Sequence, residues 1–383
     1  MSREYRRTLG LFELVALGVG GTIGSGIFVV PGIAATIAGP SALLAWLLAA
    51  ISAGCVLLSL AWVSSRFPAT GAFYAVFKEV FGRRLSTSLV LLYLVSSLFG
   101  VATIGAGIGQ YLTFFGIGSI LWLEVLILAI FAAVNLIGVR SSGIVENVLT
   151  TLKTIPLIVI AILLLPYVRA ENFVPFSPHG ETQFLKAVIV VYWAYTGFEI
   201  SAIPAGEIKE TGSIFKSLVA VLLIVSGVYL SLNVALIGAA GAGTLASSAA
   251  PVAAAVGIFM GSSWIVAAIG ILAMLSAQNA YLVGTTRVLQ NISQEYRIPL
   301  LSDLSGRGVP HVSIVAVTAA SASLLFFTNR FQDLASASVL LVLPPYIFIC
   351  IAALRLFGGL RVRAVAGLGL LSTLAVLLTS VLL

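Results

Sequence analysis

The stretch "GVGGTIGSGIFVVPG" (residues 18–32) lies in an apolar segment that otherwise has the composition of a helix. Glycine occupies five of the nine positions from Gly18 to Gly26. Each glycine in a helix interior costs roughly 1 kcal/mol relative to alanine, so this density predicts an interrupted helix. Gly20 lies about 15 Å along the segment, which would place the interruption near the middle of a bilayer.

The composition is that of a membrane protein. Of 383 residues, 60% are hydrophobic and 9% are charged, against about 25% charged residues in an ordinary soluble domain. The mean hydropathy is +1.15, and this predicts an all-α polytopic membrane protein. Cys55 and Cys350 both fall in apolar segments, where we expect core residues and neither a disulfide nor a metal site.

The apolar runs between charged or Pro- and Gly-rich breaks predict about eleven transmembrane helices. Their ranges are 11–37, 41–65, 87–115, 119–139, 146–168, 184–207, 213–240, 262–289, 309–329, 332–356 and 362–383. The apolar segment 241–261 is too short and too rich in Gly and Ser for a further span. We expect it to form a hairpin or a short helix on the outer face.

The positions of the basic residues predict the orientation. With a cytoplasmic N-terminus, all 20 Lys and Arg residues lie in inner segments except Arg169, Lys186 and Arg330, which are outside, and Lys153, which is within a span. Such an excess marks the cytoplasmic side. It also accounts for the net charge of +7, so we expect contact with membrane lipid and none with nucleic acid.

A second interruption is predicted in the sixth span. The stretch "VYWAYTGFEISAIPAGEIK" (191–209) contains Gly197, Glu199, Pro204 and Gly206. Free peptide groups are tolerated at membrane depth only where protein, a cavity or a ligand satisfies them. An isolated carboxylate such as Glu199 also has no packing role at that depth.

The two interruptions begin two halves of five spans each. An odd number of spans per half inserts the second half upside down, so the pattern predicts two inverted repeats, 1–168 and 184–356, and an additional helix at 362–383. Interrupted helices at matching positions of inverted repeats are typical of the central site of a secondary transporter. Close helix packing is the simpler alternative for either glycine-rich stretch alone.

Seven stretches, in order along nearly the whole chain, resemble the amino acid/polyamine/organocation (APC) transporter superfamily. They are "GGTIGSGIF" (20–28), "FPATGAFYAVFKEVFG" (67–82), "NVLTTLKTIPL" (147–157), "YTGFE" (195–199), "SAQNAYLVGTTR" (276–287), "IP" (298–299) and "LPPYIF" (343–348). The resemblance implies ten core helices in two inverted repeats with helices 1 and 6 unwound. The family more often has twelve spans, and the oligomeric state stays open.

The first interruption predicts how an amino acid would be held. A helix beginning near Ser25 offers free N–H groups to a carboxylate, and the last carbonyls before it, at Thr22 and Ile23, suit an ammonium. By resemblance, Ser25 and Gly26 contact the carboxylate, while Ile23 and the backbone near Trp193 contact the amine. Backbone groups cannot select among side chains.

Selectivity must therefore come from the remaining pocket. The candidates are Ser96, Ser97 and Gly100 on span three and Trp193, Thr196 and Phe198 on span six. Trp193 matches the family position of an aromatic ring that stacks on substrate, although a packing aromatic is the alternative. None of these side chains carries a fixed charge, which favours neutral substrates over cationic amino acids or polyamines.

Lys153 is the one basic residue at depth. It could extend to the inner interface. The resemblance instead implies that Lys153 faces the break in the first helix, beside Ser276, as in proton-coupled members of the family. A desolvated lysine can release its proton, so the proton is the expected coupling ion.

Glu199 is the second titratable group at depth. In similar exchangers the matching glutamate joins two tyrosines in a cytoplasmic gate, and the matching positions here are Tyr93 and Tyr346. Each tyrosine could also be an ordinary packing aromatic. The tryptophan that forms an outer gate in some exchangers is replaced by Asn279, so we expect a different outer closure.

These features predict a secondary transporter of amino acids in the plasma membrane, working by alternating access. Proton symport and exchange remain open, as do the preferred amino acid and the direction of transport. A nutrient receptor would keep the same pocket. The sequence has no HExxH or GxSxG motif and no phosphate loop, so we expect neither an enzyme nor a cofactor.

Overall fold

The structure, a computed structural model, describes residues 9–67, 73–117, 121–137, 139–202, 208–210 and 212–382. Within these ranges the side chains of 73, 139–147, 201, 381 and 382 are not described. The described chain is helical, and its single β-type pairing is the isolated bridge between Leu9 and Ile208. The prediction of an all-α protein is confirmed.

The helices follow one another with short connections. Those of the first half are α1 Leu11–Thr22, α2 Ser25–Ala38, α3 Ala42–Arg66, α4 Phe73–Phe81, α5 Arg83–Phe114, α6 Leu121–Ile137 and α7 Val139–Leu164. Those that follow are α8 Gln183–Tyr195, α9 Ser213–Ala240, α10 Ala242–Ala246, α11 Pro251–Met260, α12 Ser263–Glu295, α13 Pro299–Ser302, α14 His311–Phe327, α15 Phe331–Leu356 and α16 Leu360–Leu382. The described residues also form four 3₁₀ turns, at Gly39–Ser41, Leu165–Tyr167, Ala170–Phe173 and Phe198–Ala202.

Each predicted span contains a helix, but several helices are longer than predicted. The third begins at Arg83, the fifth begins at Val139, and the eighth continues to Glu295. Polar residues at these ends extend the helices beyond the apolar core that hydropathy detects. The segment predicted as a hairpin or short helix forms α10 and α11, each too short to cross a bilayer.

Seven helical stretches of the described chain are long and apolar enough to cross a membrane: Leu11–Arg66, Arg83–Phe114, Val148–Tyr167, Ser213–Ala240, Ser263–Glu295, Phe331–Leu356 and Leu360–Ser380. The first contains α1, α2 and α3. Helices α6 and α14, with 17 residues each, reach about 26 Å. The chain is therefore a multi-pass membrane protein.

The interrupted helices lie at the centre of the bundle. Helix α1 packs against α7, α9 and α12, whereas α2 packs against α8 and α10. Helix α5 packs against α12 and α15, and α16 packs outside α3 and α15. Because α1, α2 and α8 are surrounded by other helices, their free peptide groups are shielded from lipid.

The two ends of the bundle are distinguished by α4. Lys78 on α4 donates a hydrogen bond of 2.7 Å to Glu295 at the end of α12, and Arg355 near the end of α15 lies over the Phe81 ring. We refer to this end as the α4 end and to the other, where α5 ends and α12 and α15 begin, as the far end. The basic residues predict that the α4 end is cytoplasmic.

One basic residue counted with the inner segments lies elsewhere. Arg287 is within α12, its exposure is 1%, and its guanidinium donates to the Thr286 hydroxyl at 3.1 Å. It is a buried residue of the bundle, because α12 continues two turns beyond it to Glu295.

Candidate functional site

The first predicted break is confirmed, three residues beyond Gly20. Helix α1 ends at Thr22 and α2 begins at Ser25. Ile23 adopts φ −77° and ψ 91°, and Gly24 adopts φ −146° and ψ −134°, neither of which is helical. The carbonyls ending α1 and the N–H groups beginning α2 therefore lack intrahelical partners.

The glycines of this stretch also permit close helix contacts. A β-carbon on Gly24 would lie 2.5 Å from the Ala277 β-carbon of α12, and one on Gly26 would overlap the backbone of Ala194 on α8. The stretch therefore serves both purposes that the sequence left open, interruption and packing.

The second predicted break is also present. Helix α8 ends at Tyr195, Thr196 is extended (φ −68°, ψ 152°), and Gly197 has φ +98°. A β-carbon on Gly197 would lie 2.7 Å from the Gly21 carbonyl oxygen. The two interrupted helices thus touch where each is broken. Pro204 and Gly206, the other residues expected at this interruption, lie outside the described residues.

A small cavity lies between the two breaks. About 10 Å³ of it is open to the centre of a water molecule, which is room for roughly one water. The lining residues are Gly21, Thr22, Gly24, Ser25, Gly26, Ile104, Trp193, Thr196, Ala277 and Tyr281. None of these described lining residues has a charged side chain.

The structure brings several of the predicted binding residues to this cavity. Thr22, Ser25, Gly26, Trp193 and Thr196 all line it. The Trp193 indole N–H donates to the Ser25 hydroxyl at 3.3 Å, which links the start of α2 to the end of α8. Ile23, fully buried, lies between lining residues in the break itself.

Other predicted binding residues lie elsewhere. Ser96 donates to the Ser338 carbonyl at 2.7 Å, and Ser338 donates to the Ser96 carbonyl at 2.8 Å, so this pair joins α5 to α15. Ser97 donates to the Tyr93 carbonyl within its own helix. Phe198 stacks on Tyr346, with ring centroids 5.4 Å apart. None of Ser96, Ser97 and Phe198 is among the residues that line the cavity.

Tyr281 also lines the cavity, although the sequence did not predict it as a site residue. Its hydroxyl donates to the Thr196 hydroxyl at 3.0 Å. A β-carbon on Gly100 would lie 2.6 Å from one edge of its ring, and one on Gly197 would lie 3.0 Å from the other edge. The space left by Gly100, expected for substrate, is thus filled by Tyr281. Tyr281 could have been predicted as a site residue from its position within the motif "SAQNAYLVGTTR".

The last carbonyls of α1 already have donors. The Lys153 ammonium donates to the Gly20 carbonyl at 2.6 Å, and the Tyr229 hydroxyl of α9 donates to the Thr22 carbonyl at 2.7 Å. Tyr229 had no signal in the sequence, because an aromatic residue in an apolar span is ordinary.

Lys153 is fully buried on α7. Besides Gly20 it contacts Ser276 of α12, whose hydroxyl accepts a hydrogen bond from it at 2.7 Å. One turn earlier, Thr150 donates to the Ala16 carbonyl of α1 at 3.1 Å. The structure therefore brings together Lys153, Ser276 and the first broken helix, and the ammonium does not reach the surface.

Glu199 lies on the α4 side of the cavity. Its carboxylate accepts hydrogen bonds from the Tyr93 hydroxyl at 3.0 Å and from the Gly197 N–H at 3.1 Å. The Tyr346 hydroxyl lies near the same carboxylate but is buried and forms no hydrogen bond of good geometry. The three predicted gate residues are adjacent, and Tyr93 is the one that is directly bonded.

Asn279 does not face the cavity. It is fully buried, and its side-chain oxygen accepts a hydrogen bond from Asn135 of α6 at 3.1 Å. Helix α12 therefore presents Ala277 and Tyr281 to the cavity, whereas Asn279 lies on a different face.

The fold defines the class of protein. The structure matches the crystal structure of MhsT in complex with L-phenylalanine with a TM-score of 0.73 over 99% of each chain, at 13% sequence identity. At that identity the match concerns the fold alone. The chain has the inverted-repeat fold of membrane transporters, with its first and sixth core helices interrupted.

A family model described as amino acid permease matches residues 9–383. The chain belongs to this family, within the APC superfamily.

Two curated relatives illustrate the family. Cationic amino acid transporter 9, chloroplastic, of Arabidopsis thaliana is 34% identical over 234 residues, which cover 53% of this chain and 40% of the relative. The branched-chain amino acid permease BcaP of Bacillus subtilis (strain 168) is 27% identical over 326 residues, covering 78% and 69% respectively. The chain thus aligns with less than half of the plant relative. One is named as a transporter and the other as a permease.

Proposed function

We propose that this protein is a secondary active transporter of neutral amino acids that couples substrate movement to protons. The observation that carries the proposal is the uncharged cavity between two broken helices, with the end of α1 and the start of α2 in its wall. We place the protein in the plasma membrane with its N-terminus in the cytoplasm, as the distribution of basic residues predicts.

The start of α2 suits the carboxylate of an amino acid. Ser25 and Gly26 line the cavity, and no side chain caps the N-terminus of α2. Free N–H groups and the positive end of the helix dipole favour an anion there. The Ser25 hydroxyl, held by the Trp193 indole, adds a polar group at the same position.

The end of α1 suits the ammonium group. Gly21 and Thr22 line the cavity. The Thr22 carbonyl accepts one hydrogen bond from Tyr229, and because a carbonyl oxygen has two lone pairs, it can accept a second from the substrate. Ile23, directly in the break, supplies the next carbonyl. The backbone on both sides of one break can therefore hold both charges of an α-amino acid.

The absence of charge in the described lining supports a neutral substrate. An arginine or lysine side chain placed here would lack a carboxylate partner, which is costly in a buried site. The Glu199 carboxylate is bonded to Tyr93 and Gly197, and Glu199 is not among the lining residues. We therefore do not extend the cationic specificity in the plant relative's name to this chain.

The position of Lys153 supports proton coupling. Its ammonium joins α7, the α1 carbonyl of Gly20 and the α12 hydroxyl of Ser276. Gly20 precedes Thr22 by two residues, so loss of the proton would weaken the contact that positions the broken end of α1. Substrate binding and protonation would thus act on the same few peptide groups.

Reconstitution into vesicles tests this function. Thermal shift with a panel of neutral, cationic and acidic amino acids identifies the ligand, and uptake of that labelled ligand is then measured with and without an inward proton gradient. Gradient-driven accumulation is expected. Uptake that needs only amino acid on the other side would indicate an exchanger, and binding without flux would indicate a receptor.

A further inference from the structure

The contacts along α5 define how deep each residue lies. Starting from the α4 end, Tyr93 contacts Glu199, Gly100 contacts Tyr281, Ile104 lines the cavity, and Gly107 contacts Met274. Helix α5 and helix α12 run in opposite directions here, so these contacts form successive layers. The layer of Gly107 lies just beyond the cavity, towards the far end.

Phe331 occupies this layer. A β-carbon on Gly107 would lie 3.4 Å from the Phe331 ring, 3.4 Å from the Met274 sulfur and 3.0 Å from the Ser25 β-carbon. The Phe331 ring also meets Trp193 edge-on, with centroids 6.5 Å apart and an interplanar angle of 81°. Phe331 therefore packs against Trp193 of the cavity wall and lies beside Gly107, which in turn lies against the lining residue Ser25.

Beyond Phe331 the chain is exposed. Phe331 is the first residue of α15 and is 4% exposed. It is preceded by Phe327, the last residue of α14, which is 85% exposed, and by the exposed residues Asn329 and Arg330 of the connection. Phe331 thus lies between the cavity wall and the surface of the far end.

The neighbouring aromatic pair is held more firmly. Tyr111 of α5 meets Phe28 edge-on, and its hydroxyl donates to the Phe28 carbonyl at 2.7 Å. Its ring also lies against Gly270 of α12, where a β-carbon would be 2.6 Å away. Phe331 has no polar anchor and begins its helix without a side-chain cap, so it can move at lower cost than Tyr111.

We propose that Phe331 closes the amino acid cavity towards the far end and moves aside, with the start of α15, when that side opens. The inference rests on the proposed function, since it assigns a closing residue to the same cavity. Helix α12 contributes Met274 to the same layer, since its sulfur would lie 3.4 Å from a β-carbon on Gly107.

Thiol accessibility tests the closure without a ligand. The chain has two cysteines, Cys55 and Cys350, and both are buried. In a background with these changed to alanine, Ile104→Cys places a thiol in the cavity wall. Its reaction with a membrane-impermeant thiol reagent is measured in intact cells and in inside-out vesicles, with and without Phe331→Ala.

The expected result is faster labelling from one side only. Loss of an aromatic contact of this kind changes an equilibrium constant by about three- to ten-fold. We therefore expect Phe331→Ala to increase the labelling rate from the far-end side by about the same factor. Phe331→Leu, which keeps apolar bulk, should give a smaller increase. The matched control, Phe327→Ala, removes an exposed ring on α14 and should leave the rate unchanged.

Two outcomes would overturn the inference: an unchanged rate in both Phe331 variants, or an equal increase from both sides, which would indicate general loosening. If Phe331→Ala does not accumulate, Phe331→Leu decides by the same criterion. Failure of the proposed function appears separately, as an absence of amino acid binding by the unaltered protein.

Discussion

The ammonium of Lys153 donates a hydrogen bond of 2.6 Å to the carbonyl oxygen of Gly20. The donor is on α7 and the acceptor lies in the last turn of α1, so a titratable group touches the peptide chain three residues before the interruption, which begins at Ile23. The same ammonium bonds Ser276 on α12. One side chain therefore ties the broken helix to two neighbouring helices.

Replacing Lys153 by alanine should abolish proton-dependent uptake while leaving a folded protein, because the contact between the proton site and α1 is lost. Uptake in vesicles with an imposed proton gradient measures the effect, and size-exclusion chromatography reports folding. Lys186→Ala, which changes an exposed lysine, is the matched control. Normal pH-dependent uptake by Lys153→Ala would remove this residue from the mechanism.

Gly197→Ala should destabilise the protein and impair ligand binding. The native φ of +98° costs an L-residue about 1–2 kcal/mol in the left-handed region, and the added β-carbon would press on the Gly21 carbonyl. Thermal unfolding and ligand-induced thermal shift are the measurements. Gly367→Ala on α16, where a β-carbon meets open space, should leave both unchanged; equal behaviour of the two variants would contradict the role assigned to Gly197.

Tyr281→Ala should shift preference towards larger neutral amino acids. The Tyr281 ring fills the space between Gly100 and Gly197, and its removal enlarges the pocket for a substrate side chain. We expect the ratio of leucine to alanine affinity to rise about ten-fold or more, since one methylene in an apolar pocket is worth at least that. Binding assays with both amino acids measure this ratio.

Tyr281→Phe keeps the ring and removes the hydrogen bond to Thr196, so its size preference should stay close to that of the unaltered protein. Tyr296→Ala removes an exposed tyrosine just beyond α12 and serves as the control for a distant truncation. An unchanged leucine-to-alanine ratio in Tyr281→Ala would show that Tyr281 does not set the size of the site.

Tyr93→Phe should destabilise the closed α4 side more than Tyr346→Phe does. Tyr93 donates to the buried Glu199 carboxylate, and removing a donor from a buried carboxylate costs about 1–3 kcal/mol. The Tyr346 hydroxyl forms no comparable bond. Thermal unfolding compares the variants, and labelling of a cavity cysteine from the α4 side reports opening. A larger effect of Tyr346→Phe would reverse the assignment.

Several features were readable from the sequence for a simple reason. Hydropathy identifies spans because the bilayer core accepts only apolar runs of sufficient length. The glycines of residues 18–26 and Gly197 mark both breaks, since a break needs residues with weak helix preference or a positive φ. The resemblance supplied Lys153, Ser276, Tyr93 and Glu199, which the structure places in two groups of bonded side chains.

The contents of the cavity wall were decided by tertiary structure. Ser96 and Ser97 are small and polar, as a pocket residue should be, but one bonds Ser338 and the other its own helix. Gly100 leaves space, and Tyr281 from a distant helix fills it. The Thr22 carbonyl is satisfied by Tyr229, 207 positions away.

The sequence by itself determined the number of spans, where two helices break, and the charged residues held at membrane depth, because each follows from local composition and peptide chemistry. Only the tertiary structure decided which side chains meet at the breaks and which ring covers them. In a membrane helix nearly every face is apolar, so the pattern along the chain does not show which face meets lipid, a neighbouring helix or a cavity.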